Sequence, residues 1–90
     1  MKQAHIFYAG TVQGVGFRYT ADRIARHFEV TGFVRNLTTG QVELVAEGDE
    51  TVLKDFLEAV CESPMKRYIR EKQVSWSDAT GNYKEFGIAY

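Results

Sequence analysis

Apolar residues alternate at period two from Ala4 through Ile6 and Tyr8 to Val12, then recur at helical spacing from Phe17 through Ala21, Ile24, Ala25 and Phe28. Only Gln13, Gly14, Val15 and Gly16 separate the two patterns. A strand must therefore become a helix within that short stretch, and the two glycines supply the backbone freedom to do it. Ala4, Ile6, Tyr8 and Val12 form the predicted core face of a strand over residues 4–13. Asp22, Arg23, Arg26 and His27 fall on the wet side of the helix.

Residues 30–37, rich in β-branched and aromatic side chains, form a second predicted strand, and Thr38-Thr39-Gly40 a short hairpin turn. Residues 41–47 return as a third strand, with Val42, Leu44 and Ala46 inward and Gln41, Glu43 and Glu47 outward on a wet face. Asp49 is the predicted N-cap of a second helix carrying Leu53, Phe56, Leu57 and Val60, which Ser63-Pro64 ends. A fourth strand is predicted from Tyr68 to Ser77 with Val74 and Trp76 facing the core, and Phe86 and Ile88 alternate in a short final strand.

The element order is β-α-β-β-α-β with a short extra strand. Two right-handed crossovers then give an α/β (α+β) ferredoxin-like sandwich, in which a mainly antiparallel sheet of four to five strands carries two helices on one face. Ninety residues suit one domain over 1–90. A chain of this length buries about 60–65% of its unfolded surface, so the expected site is a surface cradle rather than an enclosed pocket. The formal net charge is −1 with no basic stripe, which argues against nucleic acid. One cysteine excludes an intrachain disulfide. No apolar run reaches the ~20 residues of a membrane span, and the first residues hold no signal-peptide core, so the cytoplasm is the expected compartment.

The segment Gly10-Thr11-Val12-Gln13-Gly14-Val15-Gly16-Phe17-Arg18 carries the chemistry. A chain that bends through glycines into a helix exposes successive N–H groups that can converge on an anion. The helix N-terminus adds roughly half a positive charge. Arg18 places a planar guanidinium at the same spot, with donors that match two phosphate oxygens. The segment lacks the Gly-Lys-Ser/Thr ending of a Walker A loop and the third spaced glycine of a dinucleotide fingerprint. In Gly32-Phe33-Val34-Arg35-Asn36, the closing amide can hold a water molecule without titrating near neutral pH, or can simply begin the hairpin.

These two blocks, with Gly40-Gln41-Val42-Glu43 and the closing Phe86-Gly87-Ile88, resemble the acylphosphatase family in order and separation over essentially the whole chain. The resemblance implies hydrolysis of an acyl phosphate to a carboxylate and inorganic phosphate. It implies that Arg18 binds the phosphate together with the amides of Gly14, Val15, Gly16 and Phe17, and that Asn36 positions the attacking water. It implies no metal and no cofactor; no HExxH and no metal-spaced carboxylate cluster occurs. The implied partner is a small acyl phosphate acted on by a monomer, with neither nucleic acid nor membrane involved. Phe33 stands where the family often has tryptophan, and residues 61–70 do not look like the small-residue loop common there.

His5 and His27 have no obvious partner, and nothing next to Cys61 in sequence favours a thiolate. Two rivals use the same architecture: a single-stranded RNA-binding module and a phosphate-binding domain without catalysis. The first needs basic and aromatic residues on the central strands, where this chain has outward Gln41, Glu43 and Glu47.

Overall fold

A computed structural model describes all residues, 1–90. The elements are β1 (Lys2–Gly10), α1 (Phe17–Ala25), β2 (Thr31–Asn36), β3 (Val42–Gly48), α2 (Glu50–Cys61), a 3₁₀ turn (Pro64–Tyr68), β4 (Ile69–Asp78) and β5 (Phe86–Ile88). They form one five-stranded sheet in the order β4-β1-β3-β2-β5. All pairings are antiparallel except β2 with β5, so the sheet is mixed. This is the ferredoxin-like α+β architecture expected from the pattern.

Register builds the core in rows across the sheet. Ile6 pairs with Leu44, which pairs with Val34; Tyr8 pairs with Val42, which pairs with Asn36. Partners opposite one another share a face. Ile6, Leu44 and Val34 are fully buried under the helices, in one cluster with Phe17, Ala21 and Ala25 of α1 and Leu53, Phe56 and Val60 of α2. Asn36 ends the next row on that same face.

Four expectations need correction. β1 stops at Gly10, where its register against β4 shifts, rather than running to Gln13. The chain from Gly10 instead follows the 3₁₀ turn: Thr11 N–H donates to the Tyr68 carbonyl at 3.0 Å. The fourth strand spans Ile69–Asp78 rather than 68–77, because Pro64 opens a 3₁₀ turn that buries Met65 and takes in Tyr68.

Val74 and Trp76 lie opposite Ile6 and Ala4, hence on the helix side, yet they are 40% and 42% exposed. β4 is an edge strand, and at the rim of so small a sheet the helices do not cover these side chains. Glu43 and Glu47 do point away from the helices, but they are buried. His5 Nε2 lies 2.6 Å from Glu43, and Arg35 Nε donates to the same carboxylate. Glu47 accepts from Gln3, from Thr80 and from the Gly81 amide, so the segment after β4 folds over that part of the supposedly wet face. Asp49 is the N-cap residue of α2 as expected, without a capping side-chain hydrogen bond.

Candidate active site

The bend into α1 passes through Gly16, the N-cap residue, at φ 85° and ψ 21°. That left-handed conformation costs a side chain roughly 1–2 kcal/mol, which glycine avoids. Phe17 then drives its ring into the core, 2% exposed and 4.8 Å from the Tyr8 ring. Burial of that ring, contributing on the order of 2–3 kcal/mol, pins the first turn of the helix to the sheet. The next residue, Arg18, is left half-buried at the surface.

No acceptor within the chain takes the amide hydrogens of Gly14, Val15, Gly16, Phe17 or Arg18. The first intrahelical bond of the segment is Thr20 N–H to the Gly16 carbonyl, at 3.0 Å. The first turn of α1 holds no acidic residue. Free donors, the positive end of the helix and an arginine therefore share one loop, with no carboxylate from that turn to compete for them.

A cavity of about 250 Å³ opens here, lined by Gly14, Gly16, Phe17, Arg18 and Asn36 among others. Of the residues the sequence singled out, only Val15 does not line it; its side chain turns back against the core. Asn36 reaches the cavity because its row runs through Val42 to Tyr8, and Tyr8 touches Phe17. Its carboxamide makes no hydrogen bond within the chain.

Sequence reasoning missed Gln13. Its Nε2 donates to the carbonyls of Leu37, at 2.7 Å, and Gln41, at 2.9 Å. Leu37 N–H donates to that same Gln41 carbonyl, closing the β2–β3 hairpin. One side chain thus ties the loop bearing the free amides to the hairpin that starts at Asn36. The available signal was an amide side chain directly before the glycine loop, but its partners lie too far along the chain to be read without the fold. Tyr19 and Tyr90 were missed too; both line the cavity, and the Arg18 guanidinium sits 5.0 Å from the Tyr90 ring centroid.

The arrangement can bind a small anion between backbone donors and a guanidinium, with a neutral amide beside it. No three His, Cys, Asp or Glu side chains come together as a metal centre requires. His27 does not line this cavity, and His5 belongs to the opposite face of the sheet, where it has the partner, Glu43, that the sequence did not reveal. Cys61 also has a neighbour that its sequence surroundings hid, with Lys72 Nζ at 2.9 Å from its sulfur.

Comparison with known proteins places the chain in a family. The acylphosphatase family model matches residues 4–88. The chain belongs to the acylphosphatase family. It is 41% identical over 85 residues to the acylphosphatase of Archaeoglobus fulgidus, covering 94% of each chain. It is 40% identical over 90 residues to that of Thermotoga maritima, covering 100% of this chain and 99% of the relative. The crystal structure of the acylphosphatase from Bacillus subtilis superposes with a TM-score of 0.90 at 38% identity, with complete coverage of both chains. The chain is accordingly a hydrolase with acylphosphatase function, taking a small acyl phosphate as substrate and releasing phosphate.

Proposed function

We propose that Arg18 and the amides of Gly14, Val15, Gly16 and Phe17 hold the phosphoryl group of the acyl phosphate, and that Asn36 holds the attacking water. The observation that carries this reading is the run of unengaged amides from Gly14 to Arg18 at a helix N-terminus, beside a guanidinium and in one cavity with Asn36. An acyl phosphate already carries a good leaving group, so the protein's task is positioning and charge stabilisation. The guanidinium and amides tighten on the phosphoryl oxygens as charge shifts in the transition state. Asn36 accepts a hydrogen bond from the water and aims its oxygen at phosphorus. A phosphoryl oxygen takes the proton, so the reaction calls on no histidine or carboxylate. The P–O bond to the acyl group breaks, giving carboxylate and inorganic phosphate.

On this reading the chain is one domain over residues 1–90, acting in the cytoplasm as a monomer on a soluble substrate, without cofactor, nucleic acid or membrane. No helix is long and apolar enough to cross a bilayer. The test is hydrolysis of benzoyl phosphate in the presence of a chelator, by the wild type and by Arg18→Ala. Hydrolysis that disappears in a folded Arg18→Ala supports the assignment; full activity of that variant refutes it.

A further inference from the structure

The two edges of the sheet differ. One ends in the short strand β5, Phe86–Ile88, and the other in the long strand β4, Ile69–Asp78. From Lys72 to Asp78 the outward N–H and C=O groups of β4 have no partner in the chain beyond a 3.5 Å contact of the Ser77 hydroxyl with the Asp78 carbonyl. Sheets usually keep such edges short or covered. The helix side of β4 is bare as well, because α1 packs over β2 and β5 and α2 over β3. Along that side run Lys72, Val74, Trp76 and Asp78, opposite Tyr8, Ile6, Ala4 and Lys2 of β1. Val74 and Trp76 are large apolar side chains left exposed there.

We infer that β4 is a self-association edge, through which two copies of this chain pair antiparallel and reversibly about a two-fold axis at Ser75, joining their sheets into one. A two-fold axis normal to the sheet keeps its faces, so helix-side residues meet helix-side residues. With Ser75 opposite its own copy, Val74 stands opposite the partner's Trp76, and Lys72 opposite the partner's Asp78. Both contacts occur twice. The exposed apolar pair is covered, and each edge charge, which would ordinarily discourage pairing, finds its opposite. Centring the axis on Gln73 or Val74 instead would set Lys72 against Val74 or Trp76. Lys2 donates to Asp78 Oδ1 at 3.0 Å, which leaves Oδ2 for the partner's Lys72. The Lys72 ammonium, now 2.9 Å from the Cys61 sulfur, gains a carboxylate in place of a weaker acceptor. This register uses residues 72–78 and stays clear of the ladder irregularity at Gly10 and Ile69. No residue of β4 lines the cavity that holds Arg18 and Asn36, so one chain remains the catalytic unit.

Sedimentation of the full chain across a wide range of concentrations reads the association, and the emission of Trp76, the single tryptophan, reads the interface. The mass should double as concentration rises, with the emission moving to shorter wavelength as the indole leaves water. Lys72→Asp faces the partner's Asp78 with a like charge, and Asp78→Lys does the same to the partner's Lys72. Each variant alone should associate more weakly by roughly tenfold or more. An equal mixture of the two should recover the dimer, because each supplies the charge the other needs; misfolded variants could not recover in this way. In a Cys61→Ala background, Ser75→Cys should form an intermolecular disulfide under mild oxidation, since Cα atoms of opposite residues in antiparallel strands stand about 4.5–5.5 Å apart. Ser77→Cys should not, because its two copies would lie four residues apart along the pair, about 13 Å. A chain that stays monomeric at every concentration overturns the inference. So does a dimer that is indifferent to both charge variants, or one that cross-links through Ser77→Cys as readily as through Ser75→Cys.

Discussion

The Gln13 carboxamide donates to the Leu37 carbonyl at 2.7 Å, so the loop that enters α1 and the hairpin that begins at Asn36 move as one body. On the proposed assignment, substrate phosphate and attacking water are then referred to a common frame. Gln13→Ala leaves the Leu37 carbonyl without this donor and lets the hairpin shift relative to the loop. Turnover should fall about 10-fold or more, because small misplacements of reacting groups are costly. Competitive inhibition by inorganic phosphate, which reports the loop alone, should change much less. Equal losses in both would show that Gln13 supports the loop only.

Arg18→Lys keeps the positive charge but loses the planar fork. Phosphate affinity, read from competitive inhibition, should drop clearly, with kcat/KM lower by an order of magnitude or more, on the order of 1.4 kcal/mol per tenfold. Wild-type phosphate affinity in this variant would mean that the guanidinium geometry is not used.

Asn36→Ala should spare phosphate binding and lower kcat by ~10²–10³, the usual cost of removing one oriented polar group from a site. The measurement is kcat together with the inhibition constant for phosphate. A variant that binds phosphate poorly but turns over normally would place Asn36 in the cradle and not on the water.

Two glycines should respond differently to alanine. At Gly16 a Cβ meets nothing within 4 Å, so only the left-handed φ of 85° is penalised, by about 1–2 kcal/mol. At Gly32, in β2, a Cβ would stand 1.9 Å from the Val45 carbonyl oxygen across the strand pair. Backbone cannot yield there, so Gly32→Ala should lose about 3 kcal/mol or more. Urea unfolding ranks the two, while phosphate affinity should suffer more per unit of lost stability in Gly16→Ala, whose strain falls on the binding loop.

Acid should weaken the fold through Glu43. Burial pushes its carboxyl upward, but the hydrogen bonds from His5 and Arg35 and the charges on those groups outweigh burial and hold it below the ordinary glutamate range. The folded form therefore prefers the carboxylate more than the unfolded chain does. Its contribution is complete above the unfolded value of about 4.3 and disappears as pH falls through the lower folded value. Glu47, held down against its own burial by Thr80, Gln3 and Gly81, acts in the same direction. Glu43→Gln should lose about 1–3 kcal/mol at pH 7 and show a flatter decline from pH 5 to pH 3 in denaturant titrations. A wild-type pH profile in that variant would remove Glu43 from this role.

Much of this molecule was legible in one dimension, because the relevant interactions are local. Period-two and helical spacing located both helices and all five strands, since each must present one apolar face to a single core, but not the 3₁₀ turn from Pro64 to Tyr68. The glycines before Phe17 announced a strand-to-helix turn, and Arg18 in the following turn pointed to the anion site proposed above, because those features need only neighbours in the chain. The resemblance carried by the same residues added Asn36.

What only the tertiary structure decided depends on register and on position within the sheet. The row Tyr8–Val42–Asn36 brings Asn36 to the loop beside Phe17, and no local pattern encodes which residues face each other across three strands. Alternation placed Val74 and Trp76 on the helix face correctly, but whether that face is covered depends on β4 being an edge strand. Likewise Glu43 and Glu47 alternate as outward residues, and only the folded chain supplies the donors that let them be buried. Side-chain spacing encodes which way a residue points, whereas what it meets there is set by segments distant in sequence.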